Sequence, residues 1–233
     1  MNIQTIRNHL RGLGDVAIAE HSSGFFKTGK GEYGEGDVFL GIRVPVIRQA
    51  VKQFAKGMSV KQAVSLLQSK YHEERLFAVL ALVDLYARGD EGQRQLVYEV
   101  YLENTDRINN WDLVDASAHK IVGPHLVKGK RTVLKKLAES PRIWERRIAI
   151  MTTYHFIRQG DLADTLAISK KLLNDPEDLI HKAVGWMLRE LGKQDKARLE
   201  EFLDKHVKRM PRTMLRYAIE KFPIDERKAW LNR

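Results

Sequence analysis

The sequence predicts an all-α protein, an α-α superhelix (solenoid) of stacked helix pairs, and three observations carry that expectation. Apolar residues recur at helical spacing along nearly the whole chain, and strand-like alternation is almost absent. The connectors are short and rich in helix-stop residues, as in RGDEG, NDPED, GKQD and FPID. Such a chain forms a solenoid or a compact bundle, and an internal repeat favours the solenoid. Ala78, Ala116, Ala149, Ala183 and Ala218 fall at comparable places in successive helices, 38, 33, 34 and 35 residues apart. Paired-helix repeats have periods of about 34–47 residues. Stacked pairs of this kind curve and present a concave surface lined by one helix from each pair.

In chain order, the periodic segments are 2–11, 44–56, 59–69, 72–88, 91–104, 110–127 and 130–139, then 141–158, 161–174, 176–192, 194–209, 211–221 and 225–231. The fourth holds the most apolar stretch, LFAVLALVDLYA, which is too short and too interrupted by Asp84 to cross a bilayer. Residues 22–41, SSGFFKTGKGEYGEGDVFLG, break the pattern, and five glycines between Gly24 and Gly36 predict a loop. Gly24 to Lys30 has the spacing of a phosphate-binding P-loop. Gly31 stands where that motif needs Ser or Thr, and no buried strand precedes it. The segment is therefore read as a flexible basic loop or a connector.

At 233 residues and 43% apolar content, the chain is long enough for a substantial core, read as a single domain over 1–233. Forty Lys and Arg against thirty Asp and Glu leave +10, with a pI near 9.7. That balance favours an anionic partner, most often nucleic acid. The absence of cysteine excludes disulfides, thiol catalysis and Cys-ligated zinc, and suits a reducing cytosol. The N-terminal MNIQTIRNHLRGLGD lacks the apolar run of a signal peptide, so a soluble intracellular protein is expected.

Projecting the helices at about 100° per residue shows which residues violate the apolar stripes. In 110–122 the stripe is Trp111, Val114, Ala118, Ile121 and Val122. Asp115, four residues after Trp111, lies about 40° from it, at the stripe's edge beside an indole. Asn110 suits the cap and Asp112 the first-turn dipole, whereas Asp115 lies too far in for that role. It either forms an ion pair with a neighbouring helix or does chemistry. In PRIWERRIAIMTTYHF, Arg147 stands in line with Ile143, Ile150 and Tyr154, while Arg146 does not. Its planar fork suits a buried acid, for which Asp115 is a candidate, or a phosphate. In EDLIHKAVGWMLRELGK, Trp186 lies off the stripe of Ile180, Val184, Met187 and Leu191, which marks a contact surface or packing against an adjacent repeat.

Two tracts carry cations and no acid, one from Ala116 to Ala138 and one from Lys205 to Arg216. With the net charge, they suit contacts to backbone phosphates. HEERL is not the zinc motif HExxH, the other histidines are scattered, and no GxSxG or cofactor signature is present. No metal site and no cofactor are expected.

FLGIRVPVIRQ (39–49), WDLVD (111–115), IWERRIAI (143–150) and KAVGWMLRE (182–190) occur in the order found in the AlkD-type DNA alkylation-repair glycosylases, and the chain resembles that family from about residue 25 to 221. The resemblance implies a HEAT-like repeat fold with a concave basic groove. It also implies hydrolysis of the N-glycosidic bond of cationic N3- or N7-alkylated purines in duplex DNA, without a base-flipping pocket. It places the catalytic aspartate on Asp115, the sugar-contacting tryptophans on Trp111 and Trp186, and the groove arginine on Arg147. Lys182, Arg189, Arg43, Arg48, Arg212 and Arg216 are the further expected DNA contacts. Asn110-Trp111 departs from the prototype's aromatic doublet, and the family's site tyrosine has Phe26 or Tyr33 as candidate replacements. A monomer acting in base excision repair on alkylated double-stranded DNA, in the bacterial cytoplasm at the nucleoid, is the expected setting. The alternative is a noncatalytic HEAT-repeat protein that binds damaged or branched DNA.

Overall fold

The computed structural model describes residues 2–233, and its contacts divide the chain into two compact units, Met1–Ser117 and Ala118–Arg233. Among the described residues there are fourteen α-helices, two short 3-10 turns and no strand, only an isolated bridge between Val38 and Tyr71. None of the described helices is long and apolar enough to cross a membrane.

The first unit contains α1 (Ile3–Gly12), α2 (Val16–Phe25), α3 (Val44–Phe54), α4 (Val60–Leu67), α5 (His72–Arg88) and α6 (Glu91–Glu103), and ends within α7 (Trp111–His125). Side-chain caps set several helix starts. Asp15 accepts from the Ile18 N–H and Asp90 from the Gln93 N–H, while Ser59 and Gln62 form a reciprocal capping box. The unit's centre is α5, with α1, α3, α4 and α6 packed against it. It is apolar on every side, so Leu76 to Leu82 are buried without a gap. Each such Leu, Val or Phe contributes on the order of 1.5–3 kcal/mol through burial.

The second unit holds the remainder of α7, then α8 (Thr132–Ala138), α9 (Ile143–Ile157), α10 (Ala163–Lys171), α11 (Asp178–Gln194), α12 (Lys196–His206), α13 (Arg212–Ala218) and α14 (Ile224–Leu231). Helix α11 packs between α9 and α13; α8 and α10 lie against α9, and α12 against α11. Ala149, Ala183 and Ala218 sit at the buried faces of α9, α11 and α13, so the spaced alanines mark every second helix. Gly185 permits a close approach of α11 to α13. A Cβ there would lie 2.5 Å from both the Met214 carbonyl oxygen and the Tyr217 Cβ.

One element departs from the expected string. Residues 16–25 form α2, so the loop begins only after Phe25 and not at Ser22. No residue of α2 is buried and it carries Ser22, Ser23 and Gly24, so neither periodicity nor propensity announces it. Its start is fixed instead by Asp15 and by Gly41. With φ of +83°, Gly41 comes so close that a Cβ would fall 1.9 Å from the Asp15 carbonyl oxygen.

Candidate functional site

In the first unit, α7 starts at Trp111 because Asn110 is buried and fixed just before it. The Asn110 Oδ1 accepts from the Trp111 N–H at 2.9 Å, and its Nδ2 donates to Asp37 at 3.0 Å. Trp111 and Asp115 are both half-buried on this helix, one turn apart. The buried Tyr101 hydroxyl bonds Ser117 Oγ at 2.9 Å. Burial pushes that phenol well above its ordinary value, the Ser117 bond works against the shift, and the charge of Asp115 adds to it.

The indole of Trp111 is covered by the Gly-rich segment. Phe26 stacks on it with ring centroids 5.2 Å apart and planes 15° from parallel, and the exposed Phe25 meets it edge-on at 6.1 Å. Of Phe26 and Tyr33, Phe26 therefore makes the stacked contact with Trp111. The Tyr33 hydroxyl donates to the Phe25 carbonyl at 3.4 Å.

A buried polar cluster holds this arrangement. Asp37, at the end of the Gly-rich segment, accepts from Arg75 at 2.5 Å, Asn110 at 3.0 Å, His72 Nδ1 at 3.2 Å and Asn109 at 3.3 Å. His72 Nε2 donates to Asp112 Oδ2 at 2.8 Å. Asp112, expected as a plain first-turn acid, thus also anchors an imidazole of α5. Burial alone would push His72 down, but the carboxylates of Asp112 and Asp37 outweigh it and raise the imidazole to about 9. Asp37 shows the converse balance. Burial raises it, but the His72 bond, the Arg75 charge and the Asn110 bond bring it below the ordinary carboxylate value. Next to His72, Glu73 accepts the backbone N–H groups of Leu40, Gly41 and Ile42 at 2.8, 2.8 and 3.2 Å. Among the described residues, no group of three His, Cys, Asp or Glu side chains is disposed to hold a metal ion.

Sequence reading missed this cluster. In the sequence, HEERL registers only as a departure from the zinc motif, and Asp37 only as part of a loop. The available signal was the helix itself: α5 is apolar all round, so four consecutive polar residues at its start must be buried too, and buried charges need partners.

In the second unit, Arg147 is buried on α9 and donates from Nη1 to the Leu179 carbonyl at 2.6 Å, as its place in the apolar stripe requires. Arg146, off the stripe, pairs with Asp175 at 2.6 Å. Trp186 is half-buried on α11; its Nε1 donates to Glu190 at 3.2 Å, and its ring lies 6.3 Å from Tyr154, which meets His119 edge-on at 5.4 Å. Lys182 pairs with Asp178 at 2.7 Å, and Arg189 contacts Glu190 at 3.3 Å and bonds Glu220. Arg212 is exposed on α13 and donates to the Leu231 carbonyl at 2.8 Å; Arg216 is exposed on the same helix. In the first unit, Arg43 occupies the N-cap position of α3 without a side-chain capping bond and Arg48 lies along the same helix, both exposed. Arg43 also borders a pocket of about 610 Å³ between α2 and the 39–47 segment, with Phe26, Phe39 and His72 in its wall.

No curated protein matches the chain. Among solved structures, a protein described as a predicted DNA alkylation repair enzyme from Enterococcus faecalis shares the fold, with a TM-score of 0.72 over 91% of this chain and 97% of that one at 18% identity. The family model for DNA alkylation repair enzymes matches residues 6–222, nearly the whole length. The chain belongs to the DNA alkylation repair enzyme family.

Proposed function

We propose that the protein is an AlkD-type alkylpurine DNA glycosylase, a single domain of HEAT-like helix pairs whose basic groove takes duplex DNA. The observation that carries this reading is the start of α7, where a carboxylate, Asp115, follows one turn after an indole, Trp111, on a helix fixed by buried polar contacts. Membership of the repair family supports it.

An N3- or N7-alkylated purine is already cationic, so it departs as a neutral base when the N-glycosidic bond breaks and takes the bonding electrons with it. Positive charge develops on the deoxyribose, and Asp115 stabilises that charge. Water then adds to the sugar carbon, and the carboxylate orients it and receives its proton. Trp111, by the face opposite Phe26, and Trp186 pack on the sugar and favour the cationic transition state. Arg147 acts at the groove, while Arg43, Arg48, Lys182, Arg189, Arg212 and Arg216 meet backbone phosphates.

The test is release of N7-methylguanine or N3-methyladenine from methylated duplex DNA. Asp115→Asn is expected to lower single-turnover release by at least about a hundredfold with duplex binding retained. Release at the wild-type rate would sink the glycosylase reading. Salt-sensitive binding without base release by the wild-type protein would select the noncatalytic DNA-binding alternative.

A further inference from the structure

We propose that His72 is a positioning residue, a clamp that ties the 26–37 segment to the first turn of α7 so that Phe26 stays flat against the Trp111 indole. The contacts form a closed circuit within the first unit. Each imidazole nitrogen faces a carboxylate: Nδ1 faces Asp37, which ends the Gly-rich segment, and Nε2 faces Asp112, next to Trp111. The ring face stacks on Phe39 at 4.6 Å and lies tilted against Phe26 at 4.9 Å. Phe26 stacks on Phe39 at 5.0 Å and on Trp111 at 5.2 Å, which closes the circuit.

The His72 side chain is 2% exposed, so its neighbours and not solvent set its orientation. Neither glutamine nor phenylalanine supplies both halves of the clamp. Glutamine offers donors from one end only and no flat aromatic face. Phenylalanine offers the face and leaves Asp37 and Asp112 each short of a donor. Because Asp112 is bound and Trp111 is covered, the first turn of α7 is held against rotation and sideways motion. A shift of a fraction of an ångström there would be felt at a reacting sugar. This role for His72 in turnover rests on the glycosylase reading; the clamp itself does not.

Two measurements test the clamp. In a Trp144→Phe, Trp186→Phe, Trp230→Phe background, Trp111 is the only indole, and acrylamide quenching reports its cover. His72→Gln in that background is expected to raise the quenching constant at least roughly twofold, as local opening would; unchanged quenching overturns the clamp. In the otherwise native chain, His72→Gln is expected to slow single-turnover base release about tenfold while duplex affinity stays put. Phe26→Leu, which leaves the clamp and removes the cover, should reproduce that loss, and the double variant should lose no more than the worse single one. Fully additive losses would overturn the proposal. So would a normal rate in Phe26→Leu, the variant that decides the matter if His72→Gln does not fold. If the wild-type protein releases no base, the glycosylase reading fails, and quenching alone then decides the clamp.

Discussion

In the first unit Asp37, His72, Glu73, Glu74 and Arg75 are all buried, whereas the second buries Arg147 and otherwise the hydroxyls Thr152, Thr153, Thr165 and Ser169. The contrast follows from backbone accounting. The second unit is helix after helix, and helices satisfy their own N–H and C=O groups. Several of its ion pairs tie helices and turns at partly exposed positions, as with Arg131 between Asp161 and Asp164 at 2.6 Å each, while Arg146 and Asp175 form a more sheltered pair. The first unit must hold a stretch with no regular structure, residues 26–43, against a helix bundle. Carboxylates supply what a ladder of backbone bonds would otherwise provide. Glu73 collects three backbone N–H groups, and Asp37 collects four side-chain donors. Buried charge here fixes shape, and it is tolerable because each charged side chain keeps at least one hydrogen-bond partner, although Arg75 Nε is left without one.

The largest expected effect breaks that cluster. Asp37→Ala leaves the Arg75 and His72 charges buried without their shared carboxylate, and should cost about 3–5 kcal/mol in urea unfolding. A cost below about 1 kcal/mol would mean that the cluster relaxes by admitting water, and the contrast between the units would lose its force.

Next in size is a pH dependence confined to the first unit. His72, faced by Asp37 and Asp112 with Arg75 on the far side of Asp37, is raised from 6.5 to about 9 in the folded chain. Its contribution, about 3 kcal/mol, is fully present below pH 6.5 and is lost as pH rises through 9. Asp37 is lowered from 3.8, so its contribution is present above that value and fades as pH falls through the folded one. The urea midpoint should therefore drop between pH 7 and pH 9.5 in the wild-type protein and stay nearly level there in His72→Gln. An equal drop in both would assign the alkaline loss to other groups.

The smallest effect belongs to the second unit. The side chains of Lys182 and Asp178 are 41% and 56% exposed, so Lys182→Ala should change stability by no more than about 0.5 kcal/mol. A salt-sensitive loss of duplex affinity in the same variant would mark Lys182 as a phosphate contact.

The helices were legible because their apolar stripes repeat at one period and their connectors hold the usual stop residues. Thirteen of the fourteen follow from that pattern, with ends shifted by a few residues, as frayed and 3-10 termini require. Arg147 inside a stripe and Arg146 outside it were also readable, and the chain buries the first and pairs the second with Asp175. What escaped was α2 and the polar cluster. The surface helix has no buried face to imprint a period. The bonds of Asp37 and Glu73 to their distant partners join residues 31 to 73 positions apart, and a local window sees only one side of each. Asp112 shows the limit plainly. Its place in a first turn is visible in the sequence, while its imidazole partner lies on a helix 40 residues earlier.

The bond from Asp37 to Asn110 also bears on the order of assembly. It closes a separation of 73 residues, whereas the turns of α3 to α6 close over a few. Distant closures carry a larger entropic penalty and follow local ones. The Gly-rich stretch therefore docks after the helices beneath it have formed, and it is the part of the first unit that a protease would reach longest while the chain folds.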